Sequence, residues 1–183
     1  MKKTQIYRWV VVGIVEPMFM SNTEKHLKEA FAGESQANRM YTAFASKADK
    51  EGYPQAARLF RAAAKAEEVH ASNHLRALKA IKSTKENIQT ALAGENHEWQ
   101  QMYPEMIEAA KAEGTKEAEM SFHYANEVEK IHSKLYQKLL VSLGSSEAYP
   151  YYVCPYCGNT IEGEAPAVCQ VCGAKGELFL KIE

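Results

Sequence analysis

One short pattern occurs twice in this chain, Glu67-Glu68-Val69-His70 and Glu129-Lys130-Ile131-His132, a carboxylate followed three residues later by an imidazole. On a helix that spacing sets both side chains on one face. Each copy therefore reads as half of a metal site. The pattern constrains the fold because it falls on helix faces that are otherwise apolar, where an ionised carboxylate without a partner costs many kcal/mol.

Apolar residues recur at helical spacing through four segments. Helix A, expected over 22–50, carries Leu27, Ala30, Glu34, Ala37, Tyr41 and Phe44 behind a Ser21 to Glu24 capping box, and Gly52 and Pro54 stop it. Helix B carries Phe60, Ala63, Glu67, His70, His74, Ala77 and Ile81, and fades at Lys82-Ser83-Thr84. Helix C carries Ile88, Ala91, Glu95, Glu98 and Met102, is expected to bend at Pro104, and closes at Gly114. Helix D carries Ala118, Phe122, Ala125, Glu129, His132, Tyr136, Leu139 and Leu143, and ends at Gly144. Four helices joined by short polar loops predict a mainly α fold, an antiparallel or ferritin-like four-helix bundle.

Glu34, Glu67, Glu95, Glu98 and Glu129 break these seams near the middle of their helices, together with His70 and His132. One such residue could lie on a solvated flank; seven on four seams point to a cation that neutralises them. The order Glu, Glu-x-x-His, Glu, Glu-x-x-His is the ligand set of ferritin-like dimetal carboxylate proteins. Iron suits mixed oxygen and imidazole donors, with manganese its rival, and nothing limits the site to the four ligands zinc prefers. Glu67 and Glu129 are assigned as bridges. Glu98 is a surplus carboxylate, read here as a ligand with an outer-sphere acceptor as the other option. Tyr41 and Tyr103 are placed to donate hydrogen bonds to ligating carboxylates, although their spacing fits aromatic core filling equally well. His74 lies a turn from the ligand positions, while His97, His123, Glu68 and Glu127 fall off the ligand phase.

After Gly144-Ser145-Ser146 the composition changes, and Cys154-Pro155-Tyr156-Cys157-Gly158 and Cys169-Gln170-Val171-Cys172-Gly173 follow. Two C-x-x-C-G knuckles form a tetrahedral thiolate site. Roughly 35 residues bury too little apolar surface to fold alone, so the metal supplies much of the folding free energy. Spacing fits zinc and iron alike; the neighbouring redox-type bundle favours iron. The organisation expected is thus residues 1–20 as a disordered N-terminal extension, 21–146 as the bundle and 147–183 as the thiolate module.

The first 153 residues contain no cysteine, and the formal net charge is −1. Clustered thiols in a chain otherwise without them indicate metal binding in a reducing, cytoplasmic compartment rather than a disulfide framework. Near-neutral charge without a basic stripe argues against nucleic acid. The apolar run Val10 to Val15 is short and is followed by Glu16-Pro17, so it reads neither as a membrane span nor as a secretion signal.

Phe31-Ala32-Gly33-Glu34-Ser35-Gln36-Ala37, Glu67-x-x-His70, Gly94-Glu95-x-x-Glu98 with Tyr103-Pro104, Glu129-x-x-His132 and the cysteine knuckles resemble, in order, the motifs of the rubrerythrin family over residues 21–183. Tyr152 and Phe179 flank the knuckles as in its rubredoxin-like domain, and Gln170 departs from the proline usual there. The resemblance implies a non-haem diiron peroxidase that reduces hydrogen peroxide to water in oxidative-stress defence. Electrons would arrive singly through an Fe(Cys)4 centre at Cys154, Cys157, Cys169 and Cys172, from a reductase drawing on NAD(P)H or from a separate rubredoxin. It also implies that Glu98 and His70 alternate as ligands of one iron. The alternative is a ferritin-like protein that oxidises and binds iron, with a structural zinc ribbon.

Loop length adds an expectation about assembly. In a ferritin-type bundle helices B and C run parallel, so the link between them must travel back along the bundle. A helix B ending near Ile81 and a helix C starting near Asn87 leave six extended steps, about 21 Å, for a return of about 28 Å. Either the helices end earlier, or helices A and B of one chain pack with C and D of another. The second option, a domain-swapped homodimer, is the reading taken.

Overall fold

The computed structural model describes residues 21–145 and 147–183, and the extension expected over 1–20 lies outside the described residues. Helix α1 spans Asn22–Lys50; the Ser21 hydroxyl accepts the Glu24 N–H at 3.2 Å, as its sequence predicts. Gly52, at φ 79°, turns the chain, and α2 spans Pro54–Ala77 with proline at its first position, where no N–H is needed. The two helices form an antiparallel hairpin. Asn38 donates to the Ala64 carbonyl at 2.7 Å, and Arg61 pairs with Asp49 at the hairpin turn. Ala45, Ala48, Ala57, Ala64 and Ala71 are buried between them, small side chains that let the two backbones approach closely.

α2 stops earlier than its apolar pattern. Ala80 N–H bonds back to Leu75 and Lys79 N–H to Arg76, with Lys79 in the left-handed region at φ 52°, so Ile81 lies outside the helix. The next helix, α3, spans Thr84–His97 and begins earlier than the pattern beginning at Ile88 indicates. Ser83 and Glu86 form a reciprocal capping box, at 3.3 and 3.2 Å, a signal present in the sequence as Ser83-x-x-Glu86.

The bend expected at Pro104 takes the form of a π-helical turn, Glu98–Met102, whose closing bond runs from Tyr103 N–H back to the Glu98 carbonyl. Proline cannot donate, and one inserted residue lets the helix pass it. α4 spans Tyr103–Glu113 and Gly114, at φ 71°, ends it. α5, Lys116–Ser142, returns antiparallel along α3 and α4, with Tyr103 against Phe122 and the Ser133 hydroxyl donating to Asn96 at 2.7 Å.

A three-stranded antiparallel sheet follows: β1 (Tyr151–Val153) is central, with β2 (Thr160–Glu162) and β3 (Leu180–Ile182) on its sides. Tyr152 pairs with Ile161 on one side and Lys181 on the other. Its core is Cys154, Cys169 and Phe179, lined by Tyr152, Ile161 and Val171. The described chain forms two compact units, one ending at Ile81 and one covering Lys82–Glu183. The first is the α1–α2 hairpin; the second joins α3, α4, α5 and the sheet.

Candidate metal centres

Among the described residues, metal-type donors gather in three groups. The first lies in the α1–α2 hairpin, where Glu34, Glu67 and His70 bring one donor atom each within 4.8 Å of the others. His70 Nδ1 is 2.8 Å from Glu67 Oε2, and its side chain is 53% exposed. Tyr41, Phe44 and Phe60 cluster nearby on the hairpin with ring centroids 5.5–6.3 Å apart. Tyr41 is thus held as part of an aromatic group.

The second group is Glu95, Glu129 and His132 on α3 and α5. His132 Nδ1 lies 2.7 Å from Glu129 Oε2 and 3.8 Å from Glu95 Oε2, and the side chain is only 27% exposed. Burial and the hydrogen bond and charge of Glu129 push the Glu95 carboxyl up to about 7. Burial acts on Glu129 in the same direction, but the hydrogen bonds from His132 and Glu95 outweigh it and hold Glu129 below its usual range. The hydrogen bond to Glu129 raises His132 above an ordinary imidazole, against the effect of burial. Two carboxylates sharing a proton beside an imidazole is the state of a site that lacks positive charge. A cation would take the proton's place.

Glu98, the surplus carboxylate, is not among the donors gathered in this group. It opens the π-helical turn, and burial followed by the Glu129 charge raises its carboxyl. Tyr103 is half-buried with its hydroxyl raised by burial and by the charges of Glu129, Glu98 and Glu95, which places it in the field of all three. Tyr136 is in the same position relative to Glu95 and Glu129, although the sequence marks it only as a seam residue. Glu68 is exposed and pairs with Lys65, and Glu127 pairs with Lys130, both away from the donors as their phase requires.

The third group is Cys154, Cys157, Cys169 and Cys172. Cys154 and Cys172 sulfurs are 3.6 Å apart, as are those of Cys157 and Cys169. A tetrahedron of metal–sulfur bonds near 2.3 Å has an edge of about 3.8 Å, so these four fit one tetrahedral ion. The two knuckles repeat one geometry. Gly158 N–H bonds to the Cys154 carbonyl and Gly173 N–H to that of Cys169, both at 2.9 Å, with the glycines at φ 82° and 79°. Only a residue at ease with positive φ closes such a turn. Backbone N–H groups of Cys172 and Val171, followed by the Asn159 side chain, stabilise the Cys169 thiolate against the effect of burial and bring it to about 6, whereas burial raises Cys157 and Cys172.

The second and third groups meet in one unit. His132 Nε2 lies 2.9 Å from the Thr160 hydroxyl of β2, Gly158 faces Val128 of α5, and Lys138 pairs with Glu162 at 2.5 Å. Thr160 carries no sequence signal of its own; only its place three residues after Cys157 hints at it. Among the described residues no helix is long and apolar enough to cross a membrane.

Comparison with known proteins agrees with the residues. The rubrerythrin family model matches residues 25–140. The chain is 38% identical to rubrerythrin-2 of Clostridium acetobutylicum over 174 residues, covering 86% of this chain and 95% of that one. It is 39% identical to rubrerythrin of Porphyromonas gingivalis over 171 residues, 83% and 86% of the two chains. Among solved structures, nigerythrin in a mixed-valence state matches with a TM-score of 0.55 at 30% identity, over 91% of this chain and 89% of that one. A fully reduced, all-ferrous form of nigerythrin matches with the same score at 29% identity and the same coverage. The mainly α, ferritin-like class with a small β metal module is thus the fold observed.

Proposed function

The chain belongs to the rubrerythrin family, and from that premise we propose that it is a diiron peroxidase of oxidative-stress defence. The observation that carries this reading is the tie between a carboxylate–imidazole group and a tetrathiolate group within one chain, through His132 and Thr160. An electron relay benefits from such a tie; an iron-storing bundle with a zinc ribbon, the alternative reading, has no use for it. Iron rather than manganese or zinc is supported by the all-ferrous state of the neighbouring nigerythrin.

Two irons held by Glu34, Glu67, His70, Glu95, Glu129 and His132 would supply the two electrons that, with two protons, convert hydrogen peroxide to two waters. Glu67 and Glu129 would be the carboxylates shared by the two ions, Glu34 and Glu95 would complete each side, and Glu98 and His70 would serve as alternating ligands. His70, with one ring nitrogen bonded among the described residues, and the π turn beginning at Glu98 suit residues that move. Tyr103, set in the field of three carboxylates, is the hydrogen-bond donor on the second side. Tyr41 plays that part on the first. Cys154, Cys157, Cys169 and Cys172 hold one iron, fed by a reductase drawing on NAD(P)H or by a rubredoxin. Thiols committed to a metal suit a cytoplasmic setting.

Each half carries two gathered carboxylates, one imidazole and half of the charge that two divalent ions need. The link supports completion by a second chain. Ala77 lies about 10 Å past His70 and Thr84 about 16 Å before Glu95, and Leu78, Lys79 and Ala80 are bonded back onto α2. The four remaining steps reach about 14 Å, short of the roughly 26 Å a parallel return requires. α2 ends earlier than its pattern, but α3 also starts earlier, so the deficit stands. The unit is therefore a domain-swapped homodimer, with α1–α2 of one copy on α3–α5 of the other. In this proposal residues 21–146 form the bundle and 147–183 the thiolate module, with 1–20 as an N-terminal extension.

The test is to reduce the loaded protein without oxygen, add stoichiometric peroxide and follow the return of the red ferric thiolate colour. It should return faster with peroxide than with dioxygen, and Glu98→Ala and His70→Ala should slow it. Equal rates with the two oxidants, or unchanged rates in both variants, would refute the proposal.

A further inference from the structure

We infer that Thr160 of the thiolate module is a positioning residue for the bundle metal site, fixing which ring nitrogen of His132 faces the metal. The inference rests on His132 being a ligand, as argued above. The Thr160 hydroxyl has one proton, and it is directed to the Gly158 carbonyl at 3.0 Å. The oxygen is then left to accept from His132 Nε2, 2.9 Å away. Nε2 must therefore carry hydrogen, and Nδ1, which donates to Glu129 at 2.7 Å and lies 3.8 Å from Glu95 in the metal-free chain, is the nitrogen that can give up its proton and hold a cation. Without Thr160 to accept from Nε2, the pull of Glu129 favours a single ring proton on Nδ1, which blocks that atom. A ligating histidine anchored through its other nitrogen is the general device for setting tautomer and ring orientation.

Here the anchor comes from another module. Thr160 is held in place because β2 is tied to α5 by the Glu162–Lys138 ion pair, with Gly158 lying beside Val128 on the other side of His132. Gly158 also closes the first cysteine knuckle, its N–H bonding the Cys154 carbonyl. One hydrogen-bonded chain thus runs from His132 through Thr160 to the residue that follows Cys157. His70, the counterpart of His132, has Glu67 as its hydrogen-bond partner and no second one among the described residues.

The experiment uses the full chain, labelled with 15N-histidine and loaded with zinc as a diamagnetic probe in every site. Thr160→Val removes the acceptor at nearly constant volume; Thr160→Ser keeps it. In the unaltered protein His132 should show a persistent Nε2–H signal. In Thr160→Val that proton should exchange with water at least about tenfold faster, and cobalt(II) affinity at the bundle site should fall about 10–100-fold, while Thr160→Ser matches the unaltered protein. Cobalt(II) binding at the thiolate site should be equal in all three, which shows that the module is folded. An unaltered exchange rate in Thr160→Val, or a serine variant that behaves like valine, would overturn the inference. A His132 Nδ1 resonance that zinc leaves unmoved would instead remove His132 from the ligand set, with the exchange comparison still reporting on the hydrogen bond.

Discussion

The two Glu-x-x-His halves have nearly the same internal geometry and very different surroundings. In both, Nδ1 of the histidine sits against the glutamate three residues earlier, at 2.8 Å for His70 and 2.7 Å for His132. His70 is more than half exposed and held from one side; His132 is mostly buried and held from both. The next residue repeats the contrast. Ala71 packs against α1 with nothing to bond, whereas Ser133 bonds Asn96, which also accepts from the Trp99 indole at 3.2 Å. One motif thus stands in two settings, its histidine bonded at one ring nitrogen in the first half and at both in the second. The difference lies in the neighbours, because a three-residue helical spacing sets the pair and nothing beyond it.

Exchanging halves between chains tests the comparison most severely. Glu34→Ala disables the first half and Glu129→Ala the second, and each variant alone should lose peroxidase activity. If the variants are unfolded, mixed and refolded together, half the dimers are mixed and each of those regains one of two sites. Activity should return to about a quarter of the unaltered level. No recovery beyond the two parents would show that each chain completes its own site.

Removing one histidine at a time comes next in size. His132→Ala should weaken metal binding at the bundle about tenfold more than His70→Ala, because His132 is oriented through both ring nitrogens and His70 through one. Titration with cobalt(II) reads the ratio, and equal losses would erase the distinction between the halves.

A smaller effect concerns the proton shared by Glu95 and Glu129. In the metal-free chain burial and Glu129 push the folded Glu95 carboxyl up to about 7, above the ordinary 4.5 of an exposed glutamate. Between those values the folded state binds more proton than the unfolded state, so the stability this group contributes is full below the lower one and is lost as pH rises through about 7. Glu95→Gln avoids that loss. It should match the unaltered apoprotein at the acid end and exceed it by about 1 kcal/mol at alkaline pH, after allowance for solvent screening, in thermal unfolding. Ser133→Ala should show the smallest change, a loss of about 0.5 kcal/mol measured in the same way, with Ala71→Ser giving no matching gain.

The helices and their donors were legible in the chain because both follow from local spacing. Periodicity located the helices, the Glu-x-x-His pairs marked two of the faces on which donors gather, and the knuckles announced four convergent cysteines with a glycine where each turn needs positive φ. Boundaries were less legible where side chains compete. Ala77 and Ile81 continue the α2 pattern, yet the backbone turns at Lys79, and the Ser83 to Glu86 box starts α3 sooner than the apolar residues do. Pro104 foretold an irregularity without its form, since either a kink or an inserted residue accommodates a missing N–H.

By itself the sequence determined which candidate donors lie on one helix face or in one knuckle, because helical and knuckle spacings are properties of neighbouring residues. Only the tertiary structure decided how each donor is held. Thr160 stands 28 residues from His132, and no local rule links them. Their meeting depends on how a three-stranded sheet docks against α5. That docking, through contacts remote in sequence, separates a histidine bonded at both ring nitrogens from one bonded at a single nitrogen.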